Sequence, residues 1–122
     1  MRPPAEVMRL ARPGESVLLA PYRADGHPDH DTVGAVAGEV AARLDVPVWW
    51  YPIWMWHWAA PGDPTIPWHR LRAHRIDPAI LAVKHAAINA FDTQVRPLSD
   101  DPADAAILPP HVLAHLIRTR EF

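Results

Sequence analysis

Apolar positions change their spacing several times along this chain, and each change marks an element. Ser16-Val17-Leu18-Leu19-Ala20 is a short continuous apolar run between Pro13-Gly14 and Pro21, which predicts a strand buried on both faces. From Asp31 or Thr32 the period becomes helical. Val33, Val36, Ala37, Val40, Ala41 and Leu44 fall on one side, and Asp29, Asp31 and Thr32 each suit the N-cap. Val46 to Trp50, with Val48-Trp49-Trp50-Tyr51 at its end, has the β-branched and aromatic content of a second buried strand. Beyond Pro52 large aromatics alternate, and a strand there would set Trp54, Trp56 and Trp58 on one face.

A short helix is expected over residues 4 to 11, ended by Pro13-Gly14. Residues 60 to 67 read as a loop, and Leu71 to Ile76 as a third strand or its edge. Asp77-Pro78 is an N-cap followed by proline at the first helical position, with Ile80, Val83, Ala87, Ile88 and Phe91 on one face behind it. A loop from about Thr93 to Leu108 leads to a last helix opened by Pro109-Pro110. Alternating strands and helices predict a single α/β domain over residues 1–122, a sheet with helices packed on it.

Composition narrows the chemistry. With 122 residues the chain can build one genuine core. A net charge of −2 with mixed signs offers no extended positive surface, which argues against a nucleic-acid partner. There is no cysteine, so any metal must be held by His, Asp or Glu. The apolar stretch from Val46 to Ala60 is broken by Pro47, Pro52 and His57 and is shorter than the roughly 18 to 20 residues a bilayer span needs. No signal-peptide pattern stands at the N-terminus, so a cytoplasmic location is the expectation.

The densest chemistry is Asp25-Gly26-His27-Pro28-Asp29-His30-Asp31, two imidazoles and three carboxylates between a strand and a helix. In open α/β sheets ligands bind outside the carboxyl ends of the strands, where this loop falls. Imidazole with carboxylate suits zinc and similar borderline metals. Asp29 either orients a histidine or caps the helix. Arg23 and Asp25 are candidates for the wall of a substrate pocket, set against the simpler roles of surface pair and turn residue. Trp49 and Trp50 are expected to fill the core, whereas Trp54, Trp56 and Trp58 suit a pocket rim, where indole faces stack on sugar rings, or an oligomer interface.

Gly26-His27-Pro28-Asp29-His30 before a helix, then Tyr51-Pro52-Ile53-Trp54-Met55-Trp56 after a strand, then a helix with Lys84 and Ala87 ahead of Gln94, resemble the C-terminal part of the PIG-L/LmbE family. Its members are zinc-dependent N-deacetylases acting mainly on N-acetylglucosaminyl substrates. The resemblance implies an incomplete Rossmann-like LmbE-type sheet flanked by helices. It also implies that His30 is a zinc ligand and that His27 is the acid that stabilises the tetrahedral intermediate, with an N-acylated amino sugar or glycoconjugate as substrate. The family's earlier motif, of the type His-Pro-Asp-Asp-Glu, supplies the other zinc ligands and the general base, and it does not occur between Met1 and Asp25. The expectation is therefore a partial deacetylase domain, inactive alone, which either self-associates or pairs with the missing half. A second expectation, from another class, is a non-catalytic remnant that binds a sugar or a protein through Trp54 to Trp58.

Overall fold

A computed structural model describes residues 9–122, and the chain forms two compact units, residues 1–60 and 61–122. The helix expected over residues 4 to 11 lies mostly outside the described residues, of which 9 and 10 are helical. The architecture is mixed α/β with small sheets.

The first unit runs β1 (Leu18–Pro21), α1 (Pro28–Leu44), β2 (Val48–Tyr51) and α2 (Met55–Trp58). The strands pair in parallel with Leu18 opposite Val48 and Pro21 opposite Tyr51, and α1 is the crossover that parallel pairing requires. Helix α1 starts earlier than its apolar period suggests, at Pro28 with His27 as N-cap in place of Asp29, Asp31 or Thr32. Pro28 takes a first-turn position whose N–H needs no partner, and Asp29 and Asp31 set negative charge at the positive end of the dipole. It ends at Asp45, whose left-handed φ of 53° lets its N–H return to the Ala41 carbonyl.

Among the described residues the sheet is covered on one face only. Ala20 is buried and Trp50 is turned to α1, where its indole N–H donates to the Gly34 carbonyl at 3.3 Å. On the opposite face Leu19 and Trp49 are 67% and 54% exposed, so neither strand is buried on both faces and Trp49 does not fill the core. Period-2 alternation explains this: Trp49 and Trp50 are adjacent, so only one of them can point at the helix. Val40, Ala41, Val46 and Met55 complete the buried hydrophobic set among the described residues of this unit.

Helix α2 corrects the alternating reading of residues 53 to 58. The backbone N–H groups of Ile53, Trp54 and Met55 all donate to the carboxylate of Asp25, at 3.0, 2.7 and 2.8 Å. Consecutive amides gathered on one acceptor are the geometry of a capped helix start, not of a ladder. The acceptor lies 28 to 30 positions back in sequence, beyond the reach of any local period.

The second unit contains a 3₁₀ turn (Trp68–Arg70), β3 (His74–Arg75), α3 (Pro78–Asn89), α4 (Asp92–Val95), a 3₁₀ turn (Pro102–Asp104), α5 (Pro110–Leu116) and β4 (Arg120–Glu121). The strand expected over 71 to 76 contracts to the two residues of β3, which pair antiparallel with β4. Asp77 caps α3 as its sequence predicts, accepting from the Ala79 N–H at 2.8 Å. The apolar face of α3 stays exposed, with Ile80 at 63% and Val83 at 70%, while Ile66 and Val112 are the buried apolar residues of this unit. Among the described residues no helix is long and apolar enough to cross a membrane.

Candidate functional site

The loop between β1 and α1 is folded by its own carboxylates. Asp31, in the first turn of α1, accepts from the Asp25 and Gly26 N–H groups at 2.8 and 3.1 Å and draws the loop back over the helix start. Its own N–H donates to the His27 carbonyl at 2.9 Å. Gly26 holds a φ of +86°, and a Cβ there would lie 2.7 Å from Trp58 Nε1. Both facts require glycine. The indole nitrogen sits so close because it donates to the Asp25 carbonyl at 2.7 Å.

Asp25 is fully buried. Besides the amides of Ile53, Trp54 and Met55, its carboxylate meets His30 Nδ1, 2.5 Å from Oδ2. The expectation that Asp25 lines a substrate pocket therefore gives way to an internal role, because its side chain has no surface to offer a ligand. His30 is half-buried, and Nε2 is the ring nitrogen not engaged by Asp25.

His27 is the N-cap of α1, and its Nδ1 accepts from the Asp29 N–H at 3.3 Å. A neutral imidazole that accepts at Nδ1 carries its proton at Nε2. Asp29 meets His27 through its main-chain N–H, and the N-cap of the helix is His27 itself. The His27 and His30 rings are 4.6 Å apart, centroid to centroid, and tilted by 31°.

Trp54 is half-buried and stands edge-on to His27 with a centroid separation of 5.6 Å, so the structure does bring it to the histidines. Its other neighbour is His57, stacked on the indole at 3.9 Å with Nδ1 3.2 Å from the Trp54 carbonyl oxygen. Residues 54 and 57 share a face only in a helical turn, so the strand reading hid His57. Trp56 is half-buried in the same turn, and Trp58 is more exposed. Arg23 is exposed, its guanidinium 5.2 Å from the ring centre of Trp50 on β2.

No family model, curated protein or solved structure matches this chain.

The loop thus presents two adjacent imidazoles, each held through Nδ1, beside one aromatic wall. As donors to a metal they form a short set: among the described residues there is no group of three or more His, Cys, Asp or Glu that could hold a metal ion. His30 has the attributes of one ligand, a neutral-capable ring with a carboxylate behind it. A complete catalytic zinc site takes about three protein ligands, which these residues do not provide.

Proposed function

We propose that this chain carries the His27–His30 portion of a zinc-dependent N-deacetylase site of the PIG-L/LmbE type, acting on an N-acylated amino sugar or glycoconjugate. The observation that carries this reading is the pairing of two imidazoles 4.6 Å apart that are held in different ways, one by a buried carboxylate and one by a main-chain N–H. Different partners suit different tasks. His30 is backed as ligand histidines usually are, and His27 holds a proton at Nε2, where it can meet a developing oxyanion or the departing amine.

The parallel β1–α1–β2 arrangement, with the site at the carboxyl end of β1, supports placing it in a Rossmann-like sheet. Trp54, edge-on to His27, would offer the sugar an apolar wall. Zinc, when bound, would polarise the acyl carbonyl and acidify a water. The remaining ligands and the general base would come from residues outside this set, and the deacetylase itself would be an assembly that includes them.

Zinc titration by calorimetry tests the assignment of roles. Binding is expected in the chain, weak because the donor set is short, lost in His30→Ala and retained in His27→Gln. Absence of zinc binding, or equal loss in both variants, would overturn it.

A further inference from the structure

We propose that Asp25 is the positioning residue of this site: one buried carboxylate fixes the tautomer of His30 and, through the same oxygen, the station of Trp54 beside His27. The proposal uses the zinc reading only for what His30 would do with its Nε2. The tautomer itself needs no metal.

Asp25 is the one buried polar or charged residue among the described residues. A carboxylate taken out of water is costly unless donors surround it, and four do. Oδ1 accepts from the Ile53 and Met55 N–H groups, and Oδ2 accepts from the Trp54 N–H and faces His30 Nδ1. Three of the four donors are backbone amides, which have no other protonation state at neutral pH. Only the imidazole can choose which nitrogen carries its hydrogen.

That choice is settled by repulsion. A lone pair on Nδ1 would stand 2.5 Å from a carboxylate oxygen, so Nδ1 carries the hydrogen and donates, leaving the lone pair of the neutral ring on Nε2. The second link runs through Trp54. Its N–H lies 2.7 Å from the same Oδ2, and its indole meets His27 on one side and His57 on the other. One group of atoms therefore sets both an imidazole's chemistry and the distance between the histidines and the aromatic wall.

Asp25→Asn is nearly isosteric and separates this role from bulk packing. Its single oxygen would take the side with two fixed amides, because the opposite orientation strands both of them. The NH₂ group then faces Trp54 N–H and His30 Nδ1, where it opposes one donor and requires an acceptor of the other. His30 must answer with a lone pair at Nδ1 and a hydrogen at Nε2.

The test is long-range ¹H–¹⁵N NMR of the histidine rings in the metal-free chain, with chelator present, at a pH where the ring ¹⁵N shifts themselves show the neutral form. The expected result is Nδ1–H for His30 in the parent chain, Nε2–H for His30 in Asp25→Asn, and Nε2–H for His27 in both. A merely structural role for Asp25 would leave the His30 tautomer unmoved in a folded variant, and that outcome overturns the proposal. Should Asp25→Asn fail to fold, the parent spectrum still decides, since Nε2–H on His30 there contradicts the argument directly. The expected tautomers without zinc binding would sink the zinc reading and leave Asp25 in its role; zinc binding with the wrong tautomer would do the reverse.

Discussion

Two glycines one turn apart in α1 should respond to the same substitution with opposite signs. Both occupy helix positions, where alanine in place of glycine stabilises by up to about 1 kcal/mol through backbone entropy and solvation. At Gly38 the added methyl would meet only Trp50 Cζ2, at 3.4 Å, the tip of an aromatic ring on β2. Propensity should win there, and Gly38→Ala should stabilise by roughly 0.5–1 kcal/mol. At Gly34 the methyl would lie 2.5 Å from the Pro21 carbonyl oxygen and 2.7 Å from Arg23 Cα. Those atoms are backbone, fixed at their near end by the β1–β2 ladder, so α1 itself must lift away. Overpacking of this kind costs about 1–3 kcal/mol, at the upper end when main chain meets main chain, which leaves a net loss of about 1–2 kcal/mol after the helical gain. The two variants should thus differ by about 1.5–3 kcal/mol in urea unfolding, read as opposite shifts of the midpoint at constant slope. Equal stabilisation of both would refute the close approach of α1 to residues 21–23. That approach matters to the site, because it sets the helix bearing His30 against the strand end that leads to Asp25.

Val112 is completely buried on α5, and Val112→Ala should cost about 2–3 kcal/mol, the sum of two lost methyl groups and the cavity they leave; a loss below about 0.5 kcal/mol by denaturant titration would show that this unit has no fixed core. The pKa of His115 is held below its ordinary value by burial first, then by the positive charges of Arg118 and His111, so on acidification the unfolded chain takes up this proton before the folded one. Stability should therefore be flat in this group above about pH 7 and fall as the pH drops from about 6.5 through the lower folded value. Thermal midpoints of the parent chain should fall more between about pH 8 and pH 5.5 than those of His115→Gln, and equal falls would contradict the assignment.

Where an element is specified by its own residues, the sequence announced it. Helix α1 follows from the spacing of Val33, Val36, Val40 and Leu44, although its N-cap is His27 and not one of the residues from Asp29 to Thr32, and α3 follows from Asp77-Pro78, because both periods are local. The strands β1 and β2 were equally plain as apolar runs between prolines, although their one-sided covering was not, since nothing in a run of apolar residues says how many faces will find a partner. Residues 54 to 58 misled for a definite reason. Trp54, Trp56 and Trp58 alternate, but α2 is decided by three amides falling on a carboxylate some thirty residues earlier, and Trp58 by the bond it gives to that residue's carbonyl.

The candidate site divides along the same line. His27 and His30 could be found because their spacing and their place between strand and helix are local facts. The carboxylates around them were harder to assign, because each acts somewhere other than its neighbourhood suggests. Asp31 closes the loop by holding the amides of residues 25 and 26, Asp29 serves His27 with its main chain, and Asp25 turns inward to α2 and His30. The reason is one of demand. A loop that must hold two imidazoles still beside an incoming turn has many N–H groups to satisfy, and the carboxylates of Asp25 and Asp31 accept five of them, while His27 Nδ1 accepts that of Asp29. With the Nδ1 atoms engaged by Asp25 and the Asp29 amide, the two Nε2 atoms are what this loop keeps for chemistry. An acidic run beside a histidine pair is on this account scaffolding for the pair, and the two functions should separate by mutation: loss of Asp31 should act on fold, and loss of Asp25 on the identity of the nitrogen that His30 presents.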